Sequence, residues 1–214
     1  MFITFEGIEG CGKSTQAIRL VARLKSASIS AIFTLEPGGT RVGQDIRQIL
    51  LDSRNQSLSP LAELLLYAAD RAQHVKEVVK PALEQGKWVV CDRFLDATTV
   101  YQGYARGQDM ALIRTLNERT SLGLSPHITF LLDCPVKVGL QRALARNKML
   151  LKEGQERFER EAVEFHEAVR NGYLSMAREA HERFIVVDGT LSEDELEEAI
   201  FQNITPFISR RTGK

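Results

Sequence analysis

The chain has 214 residues, of which 43% are hydrophobic and 26% charged, a composition typical of a globular protein with one sizeable core. Its 28 basic and 28 acidic residues cancel, so net charge gives no reason to expect nucleic acid or a membrane as a partner. The composition predicts a single domain over residues 1–214 that acts on small molecules.

The chain opens with an alternating apolar run, residues 1–5, that predicts a strand, and a helical pattern covers about residues 13 to 27. The loop between them fits G-x-x-x-x-G-K-[ST] in the strand–loop–helix context that this phosphate-loop (P-loop) motif requires. Its glycines let successive N–H groups turn toward a phosphate at the helix N-terminus. ATP is therefore expected on Gly7, Ile8, Glu9, Gly10, Cys11, Gly12, Lys13, Ser14 and Thr15, with Lys13 on the β- and γ-phosphates and the Ser14 hydroxyl on Mg²⁺.

The next stretch predicts a second strand at residues 31–35, ended by a turn-rich loop at residues 36–40. A short helix is predicted over residues 43–51. A longer one follows, with Ser59 as its N-cap and Pro60 in its first position, and runs toward Gly86. On that helix Tyr67 and Arg71 lie one turn apart, so a ring and a guanidinium share a face that suits either the core or a bound base.

Two continuous apolar runs predict further strands at residues 88–92 and 128–133, as expected where a sheet is buried on both faces, and a fifth strand is predicted at residues 184–188. Helical patterns at about residues 109–122, 135–146, 157–181 and 192–203 lie between and after them. Five β-units that alternate with helices predict an α/β fold with a doubly wound, five-stranded parallel sheet.

Charged residues stand where predicted strands end. Asp92 completes an apolar run and is the expected partner, with Ser14, of Mg²⁺ or its water. Asp133 also ends a strand, but Cys134 and Pro135 follow it, which favours a capping role. Arg93 would lie at the carboxyl edge of the sheet, where its guanidinium is able to clamp an acceptor phosphate or form a surface ion pair.

A basic segment covers about residues 142–160 and includes Arg142, Arg146, Lys148, Lys152, Arg157 and Arg160. Alone it would predict a solvated helix surface. Beside a phosphate loop it is a candidate lid.

The cysteines Cys11, Cys91 and Cys134 form no C-x-x-C pair and are expected to be reduced thiols. Met1 leads directly into a strand and no apolar run approaches 18 residues, so neither a signal peptide nor a membrane span is expected. We expect a cytoplasmic protein.

Six short motifs occur in one order along the chain: F-E-G-I-E-G-C-G-K-S-T at 5–15, E-P-G-G-T at 36–40, L-L-Y-A-A-D-R-A-Q-H at 65–74, D-R-F at 92–94, Y-Q-G at 101–103 and R-F-E at 157–159. In this combination the chain resembles the bacterial thymidylate kinases. The resemblance implies a nucleoside monophosphate kinase fold with a lid, transfer of the γ-phosphoryl group of ATP to dTMP with Mg²⁺, and a homodimer in which the helices near residues 43–51 and 59–80 take part.

The resemblance also implies roles for residues of the acceptor site. Glu9 would meet the region of the deoxyribose 3′-hydroxyl, and Arg47 and Arg93 would hold the dTMP phosphate. Tyr67 would lie on the thymine ring, and Tyr101 beneath the sugar, where a 2′-hydroxyl would collide with it. The remaining substrate residues are Glu36 in the E-P-G-G-T loop and, at the thymine edge, Arg71, Thr98 and Gln102.

Several positions depart from the family pattern, among them Leu35, Tyr67, Phe94, Ala97, Thr98 and Leu144. Because Gly10 is not basic, the sequence resembles the subgroup whose catalytic arginine comes from the lid. Arg146 or Arg142 is favoured for that role, and Arg157 is next.

Two alternatives share the phosphate loop. One is a kinase for another nucleoside monophosphate, against which Tyr101 and the thymine-edge residues argue. The other is a regulatory GTPase switch. Such a switch needs N-K-x-D after an apolar strand, whereas here Asn147-Lys148 is followed by Met149-Leu150 in the candidate lid.

Overall fold

The computed structural model describes residues 1–149 and 157–211, with the backbone alone at residues 209–211. Lys152 and Gly154 of the basic segment therefore lie outside the described residues. Within these two ranges the chain alternates strands and helices in the predicted order.

The five predicted strands are all confirmed, as β1 (Phe2–Glu6), β2 (Ala31–Leu35), β3 (Trp88–Asp92), β4 (Ile128–Asp133) and β5 (Phe184–Asp188). They form one parallel sheet in the order β2-β3-β1-β4-β5. Every residue of β1 and β3 is buried, while the edge strands β2 and β5 are only partly buried. The uninterrupted apolar runs thus mark the centre of the sheet, because helices cover both of its faces.

The helices are α1 (Lys13–Ser26), α2 (Arg41–Leu51), α3 (Pro60–His74), α4 (Lys80–Glu84), α5 (Leu95–Thr98), α6 (Met110–Ser121), α7 (Val136–Met149), α8 (Val163–Glu179) and α9 (Glu193–Arg211). A π-helical turn (Val75–Val79) joins α3 to α4, and a π-helix (Thr99–Ala105) continues α5. Ser59 caps α3 by accepting from the N–H of Ala62, with Pro60 in the first turn, as predicted. Among the described residues, none of the helices is long and apolar enough to cross a membrane.

The core lies on both faces of the sheet. On one face Phe2, Val89 and Cys91 pack with Val75 and Val79 from the π-helical turn after α3. The larger core contains Ile3 and Phe5 together with the apolar side of α1, α8 and α9. Strand side chains point alternately to the two faces, so both cores are built from the same short runs.

One predicted helix begins later than expected, and one helical stretch was missed. The predicted helix at 157–181 begins only at Val163, because Arg157 and Phe158 turn inward and are buried instead of continuing a helix. The helical stretch over residues 95–105 was not predicted at all. Thr98, Thr99 and Gly103 are weak helix formers, so packing against α8 and α6, and not local propensity, holds this stretch in place.

The strand register sets the position of the site. Phe5 of β1 and Leu35 of β2 both pair with Asp92 of β3, so these three strands end side by side. The phosphate loop after β1, the loop after β2 and Arg93 after β3 therefore leave the sheet at one edge, where open α/β sheets bind their ligands.

Candidate active site

The phosphate loop is shaped by its glycines. Gly7, Gly10 and Gly12 have φ values of 138°, 72° and 99°, in the region that side chains avoid. A Cβ on Gly10 would lie 2.0 Å from the carbonyl oxygen of Gly139 on α7, so this loop and α7 pack backbone against backbone. Gly12 forms the N-terminal boundary of α1, whose first N–H groups face the loop as an anion site.

Lys13 closes this loop. Its side chain is buried, and Nζ donates to the carbonyl oxygens of Gly7 at 3.0 Å and Ile8 at 2.7 Å. Ile8 and Cys11 are buried in the core and do not face the cavity. The loop thus holds the positive charge of Lys13 in place through hydrogen bonds to neutral backbone groups.

Ser14 and Asp92 meet at the carboxyl edge of the sheet. The Ser14 hydroxyl donates to Oδ2 of Asp92 across a very short contact. The other oxygen, Oδ1, is buried and has no hydrogen-bond partner within residues 1–149 and 157–211. A buried carboxylate oxygen without a partner is costly, which indicates a ligand at this point.

One cavity runs from the phosphate loop along this edge of the sheet. Its phosphate-loop end includes Glu9, Gly10, Lys13 and Ser14. Its walls bring together every residue that the resemblance assigns to the acceptor, namely Glu9, Glu36, Arg47, Tyr67, Arg71, Arg93, Thr98, Tyr101 and Gln102. These residues come from five separate parts of the chain, and the fold places them around one space.

Arg93 lines the cavity in a left-handed backbone conformation, with φ of 68°. Its guanidinium donates to Glu9 Oε1 at 2.9 Å and lies 4.8 Å from the centre of the Tyr101 ring. The Tyr101 hydroxyl donates to the same Glu9 oxygen at 2.5 Å. Burial alone would raise the pKa of Glu9, but the contacts with His166, Arg93, Lys13 and Tyr101 outweigh it and hold that pKa below its ordinary value.

Glu6 fixes the strained turn at Arg93. Its buried carboxylate accepts from the N–H of Phe94 at 2.8 Å and from the hydroxyl of Tyr173 at 2.6 Å. Burial and the nearby charge of Asp96 raise the pKa of Glu6 to about 8. The unusual φ of Arg93 is therefore maintained by a bond to the next residue, as strained site residues require.

The far end of the cavity is a polar wall. Arg71 donates from Nε to Glu36 Oε2 at 2.9 Å, from Nη2 to the Thr98 hydroxyl at 2.5 Å and from Nη1 to Asn117 at 2.7 Å. Glu36 also contacts His74 Nδ1 at 2.8 Å. This network holds the Arg71 guanidinium rigidly against the cavity, with Tyr67 one helical turn away on α3.

The three arginines considered for the lid lie in different places. Arg146, on α7, lines the cavity and contacts Asn147 and Glu159. Arg142 does not line it, because Nη1 donates to the carbonyl of Gly189 at 2.7 Å. The side chain of Arg157 is buried, where Nε donates to the Leu50 carbonyl at 2.6 Å.

Comparisons with known proteins agree on one family. The family model described as thymidylate kinase matches residues 5–200. The thymidylate kinase of Citrifermentans bemidjiense is 56% identical over 189 residues, which cover 88% of this chain and 84% of that protein. That of Geotalea daltonii is 52% identical over 213 residues, 99% of this chain and 98% of that protein.

The chain belongs to the thymidylate kinase family. It is therefore a kinase, an enzyme that transfers a phosphoryl group. The fold agrees: the crystal structure of the thymidylate kinase from Ehrlichia chaffeensis matches with a TM-score of 0.75 and 33% identity, over 95% of this chain and 98% of that one.

The structure shows what surrounds two of the residues that depart from the thymidylate kinase pattern. Phe94 is fully buried, with its ring against Phe2 at 4.9 Å between centroids, so the phenylalanine fills an apolar site where a hydroxyl would need a partner. Leu35 lines the cavity beside Leu51, so an apolar wall stands where an arginine is usual in thymidylate kinases.

Sequence reasoning missed several residues of this thymidylate kinase site. Asn147 and Phe158 line the cavity, and the buried ring of His166 lies 3.3 Å from Glu9 Oε2. Glu63 was missed although a signal existed: an acid four residues before Tyr67 lies on the same helical face. For His166 no signal existed, because only folding brings α8 to the phosphate loop.

Proposed function

We propose that the protein transfers the γ-phosphoryl group of ATP to dTMP, giving dTDP and ADP. One observation carries the proposal: a single cavity is lined by the phosphate-loop lysine, by Arg93 and by the polar wall at Arg71. Phosphoryl transfer needs charge neutralisation and two oxygens in line more than it needs covalent help from the protein. A donor and an acceptor in one cavity meet that requirement.

On the donor side we assign the triphosphate to the loop from Gly7 to Thr15. Lys13 exchanges its carbonyl partners for phosphate oxygens, and the N-terminus of α1 faces the same group. In this role Lys13 is a catalytic residue, because it touches the group that is transferred.

We assign Mg²⁺ to Ser14 and Asp92. Within the described ranges no cluster of three or more His, Cys, Asp or Glu side chains is arranged to hold a metal ion. A phosphate-loop site does not need one, because phosphate oxygens and water supply most ligands of Mg²⁺. The unpartnered Oδ1 of Asp92 beside the Ser14 hydroxyl fits such an ion. When bound, Mg²⁺ neutralises charge on the phosphates.

On the acceptor side we assign the dTMP phosphate to Arg93 and Arg47. Arg47 is held in the cavity by donation to the Pro37 carbonyl at 2.7 Å. Tyr67 provides a ring for the base, and Tyr101, fixed through Glu9, provides a rigid surface under the sugar. Arg71, Thr98 and Gln102 meet the thymine edge.

The alternatives have less support. A guanine-reading motif would place Asn147 and Lys148 in a loop after a strand, whereas both lie within α7 and the Asn147 amide donates to Glu159 at 3.1 Å. A kinase for a different monophosphate would share Lys13 and Arg93 but not need the polar wall at Arg71.

We expect wild-type protein to use dTMP with a kcat/KM at least about a hundredfold above that of dCMP or AMP, since buried polar groups left unpaired by the wrong base penalise it strongly. ADP formation in a coupled assay with each acceptor measures this. ADP formation that is slow and indifferent to dTMP would point to a switch, and equal use of dCMP would overturn the acceptor assignment.

We further infer a homodimer built on α2 and α3. These two helices pack together and leave a row of apolar side chains exposed by 44% to 51%: Val42, Ile49, Leu61 and Leu65. Val42 and Ile49 are seven residues apart and Leu61 and Leu65 four, so each pair shares one helix face, and exposed apolar faces of this kind are typical of an interface. The three buried free cysteines in turn support a reducing, cytoplasmic location.

Leu65→Glu should convert the dimer into a monomer, because a carboxylate would be buried without a partner at the interface. Light scattering after size exclusion measures the mass. Ile18→Glu is the matched control, since Ile18 is similarly exposed, by 53% against 48% for Leu65, on α1, outside the proposed interface. A wild-type monomer, or a Leu65→Glu dimer, would contradict this interface.

A further inference from the structure

A buried carboxylate stands behind the polar wall of the cavity. Glu63, on α3, is 1% exposed and does not line the cavity itself. Its Oε1 accepts from the side-chain amide of Gln102 at 3.0 Å. Its Oε2 accepts from Arg157 across a very short contact, and Arg106 approaches both oxygens at 3.4 and 3.5 Å.

These cations keep Glu63 ionised. Burial by itself would raise the pKa of Glu63, but the hydrogen bonds from Gln102 and Arg157 and the charge of Arg106 outweigh it, so that pKa lies below its ordinary value. An ionised carboxylate only accepts hydrogen bonds. The group that Gln102 turns toward Glu63 must therefore be its NH₂, which removes the usual ambiguity about the orientation of an amide.

The fixed amide has a consequence for the cavity. With NH₂ held by Glu63, the carbonyl oxygen is the side-chain group with which Gln102 meets the cavity that it lines. Thr98 offers the cavity a donor, whereas Gln102 offers it an acceptor. Its hydroxyl oxygen accepts from Arg71 at 2.5 Å, so its hydrogen remains to be donated. The wall presents a donor at Thr98 and an acceptor at Gln102.

We propose that Glu63 is a positioning residue that makes the enzyme selective for an imide base, by fixing the side chain of Gln102 with its acceptor toward the cavity. The inference rests on the proposed function. Thymine and uracil present an acceptor, O4, beside a donor, N3–H, which match this wall. Cytosine presents the reverse pair, an amino donor beside the N3 acceptor. Its groups would therefore be mismatched at both positions: the amino group would meet the Thr98 donor, and N3 would meet the Gln102 acceptor.

Glu63→Gln tests the inference, because the surrounding groups dictate how the new amide lies. Its oxygen should face Arg157, whose contact with Oε2 is very short, and not Arg106, which approaches Oε1 only at 3.4 Å, so its NH₂ faces Gln102. Gln102 must then turn its own oxygen toward residue 63 and its NH₂ toward the cavity. The kcat/KM ratio of dTMP to dCMP should fall at least about tenfold, with a gain for dCMP itself.

Structural damage alone would lower the activity with both acceptors and leave their ratio unchanged. Glu161→Gln is the matched control, because Glu161 binds the same Arg106 at 2.5 Å but does not contact Gln102, and its ratio should equal that of wild type. In the double variant Glu63→Gln/Gln102→Glu, the carboxylate at 102 restores an acceptor to the cavity, so preference for dTMP should return.

A measurement on wild-type protein covers the case in which Glu63→Gln does not fold. The analogue of dUMP in which C–H replaces N3–H should lose at least about tenfold in kcat/KM relative to dUMP, because Gln102 would lose its donor. The role of Glu63 is overturned if the analogue has the same kcat/KM as dUMP. It is also overturned if a folded Glu63→Gln protein keeps the wild-type ratio of kcat/KM for dTMP to that for dCMP. A wild-type enzyme with no preference for dTMP over dCMP would instead refute the acceptor assignment of the proposed function.

Discussion

Lys13→Ala should lower kcat about a thousandfold or more while the protein stays folded. In the ground state Lys13 donates to two carbonyl oxygens and the Cys11 sulfur of its own loop, all neutral groups, so its charge is available for the charge that develops between the β- and γ-phosphates. Removing one such preorganised donor typically costs a factor of 10² to 10³ in kcat. For a lysine that also binds the donor, the loss should be at the upper end of that range.

The measurement is kcat from coupled ADP formation at saturating ATP and dTMP, together with the thermal unfolding midpoint. Lys25→Ala is the control, because Lys25 is an exposed lysine in the last turn of the same helix. Its kcat should match wild type. If Lys13→Ala kept turnover within about tenfold of wild type, equivalent to roughly 1.4 kcal/mol of barrier, the phosphate-loop assignment would be wrong.

Arg146→Ala should reduce kcat by about two orders of magnitude and change the KM for dTMP far less. Arg146 lines the cavity near the phosphate loop, and its side chain is 48% exposed, so it has room to move onto the transferring group. An arginine that contributes mainly in the transition state affects kcat more than KM. Its ground-state contacts, to Asn147 and Glu159, are weak ones for a guanidinium.

Arg142→Ala and Arg157→Ala show whether the expected loss of kcat is specific to Arg146. Arg142 is held by the Gly189 carbonyl, so its loss should affect kcat much less. Loss of Arg157 would leave Glu63 and the Leu50 carbonyl short of a buried partner, which costs about 1–3 kcal/mol for each group and should lower the unfolding midpoint. Were Arg146→Ala neutral and either of the others inactive, Arg146 would be the wrong choice. Neutrality at all three would exclude a catalytic arginine from this segment.

The sheet was predictable because its information is local. Each strand is a short, mainly apolar run that ends at or just before an acid, and the central strands are buried on both faces, so their sequences carry no helical period. The phosphate loop was predictable for the same reason. Its function depends on backbone angles at Gly7, Gly10 and Gly12, which the residue type alone reveals.

The rest of the site depends on contacts between distant parts of the chain. Local propensity gives no sign of the helix at residues 95–105, which carries Thr98, Tyr101 and Gln102, because tertiary packing holds it. The sequence also gives no indication that Arg157 turns inward to Glu63 while Arg146 faces the cavity. Spacing along a helix placed Tyr67 beside Arg71, but the partners that fix Arg71 are distant in the sequence, such as Asn117, which is 46 residues away.

The central claim is that this cavity moves a phosphoryl group from ATP to dTMP, and the fate of the label of γ-³²P-ATP tests it most directly. With dTMP and Mg²⁺ present, the account predicts that the label appears in dTDP, at a rate that matches ADP formation and that disappears in Lys13→Ala. Label released as inorganic phosphate at a rate independent of dTMP would contradict it.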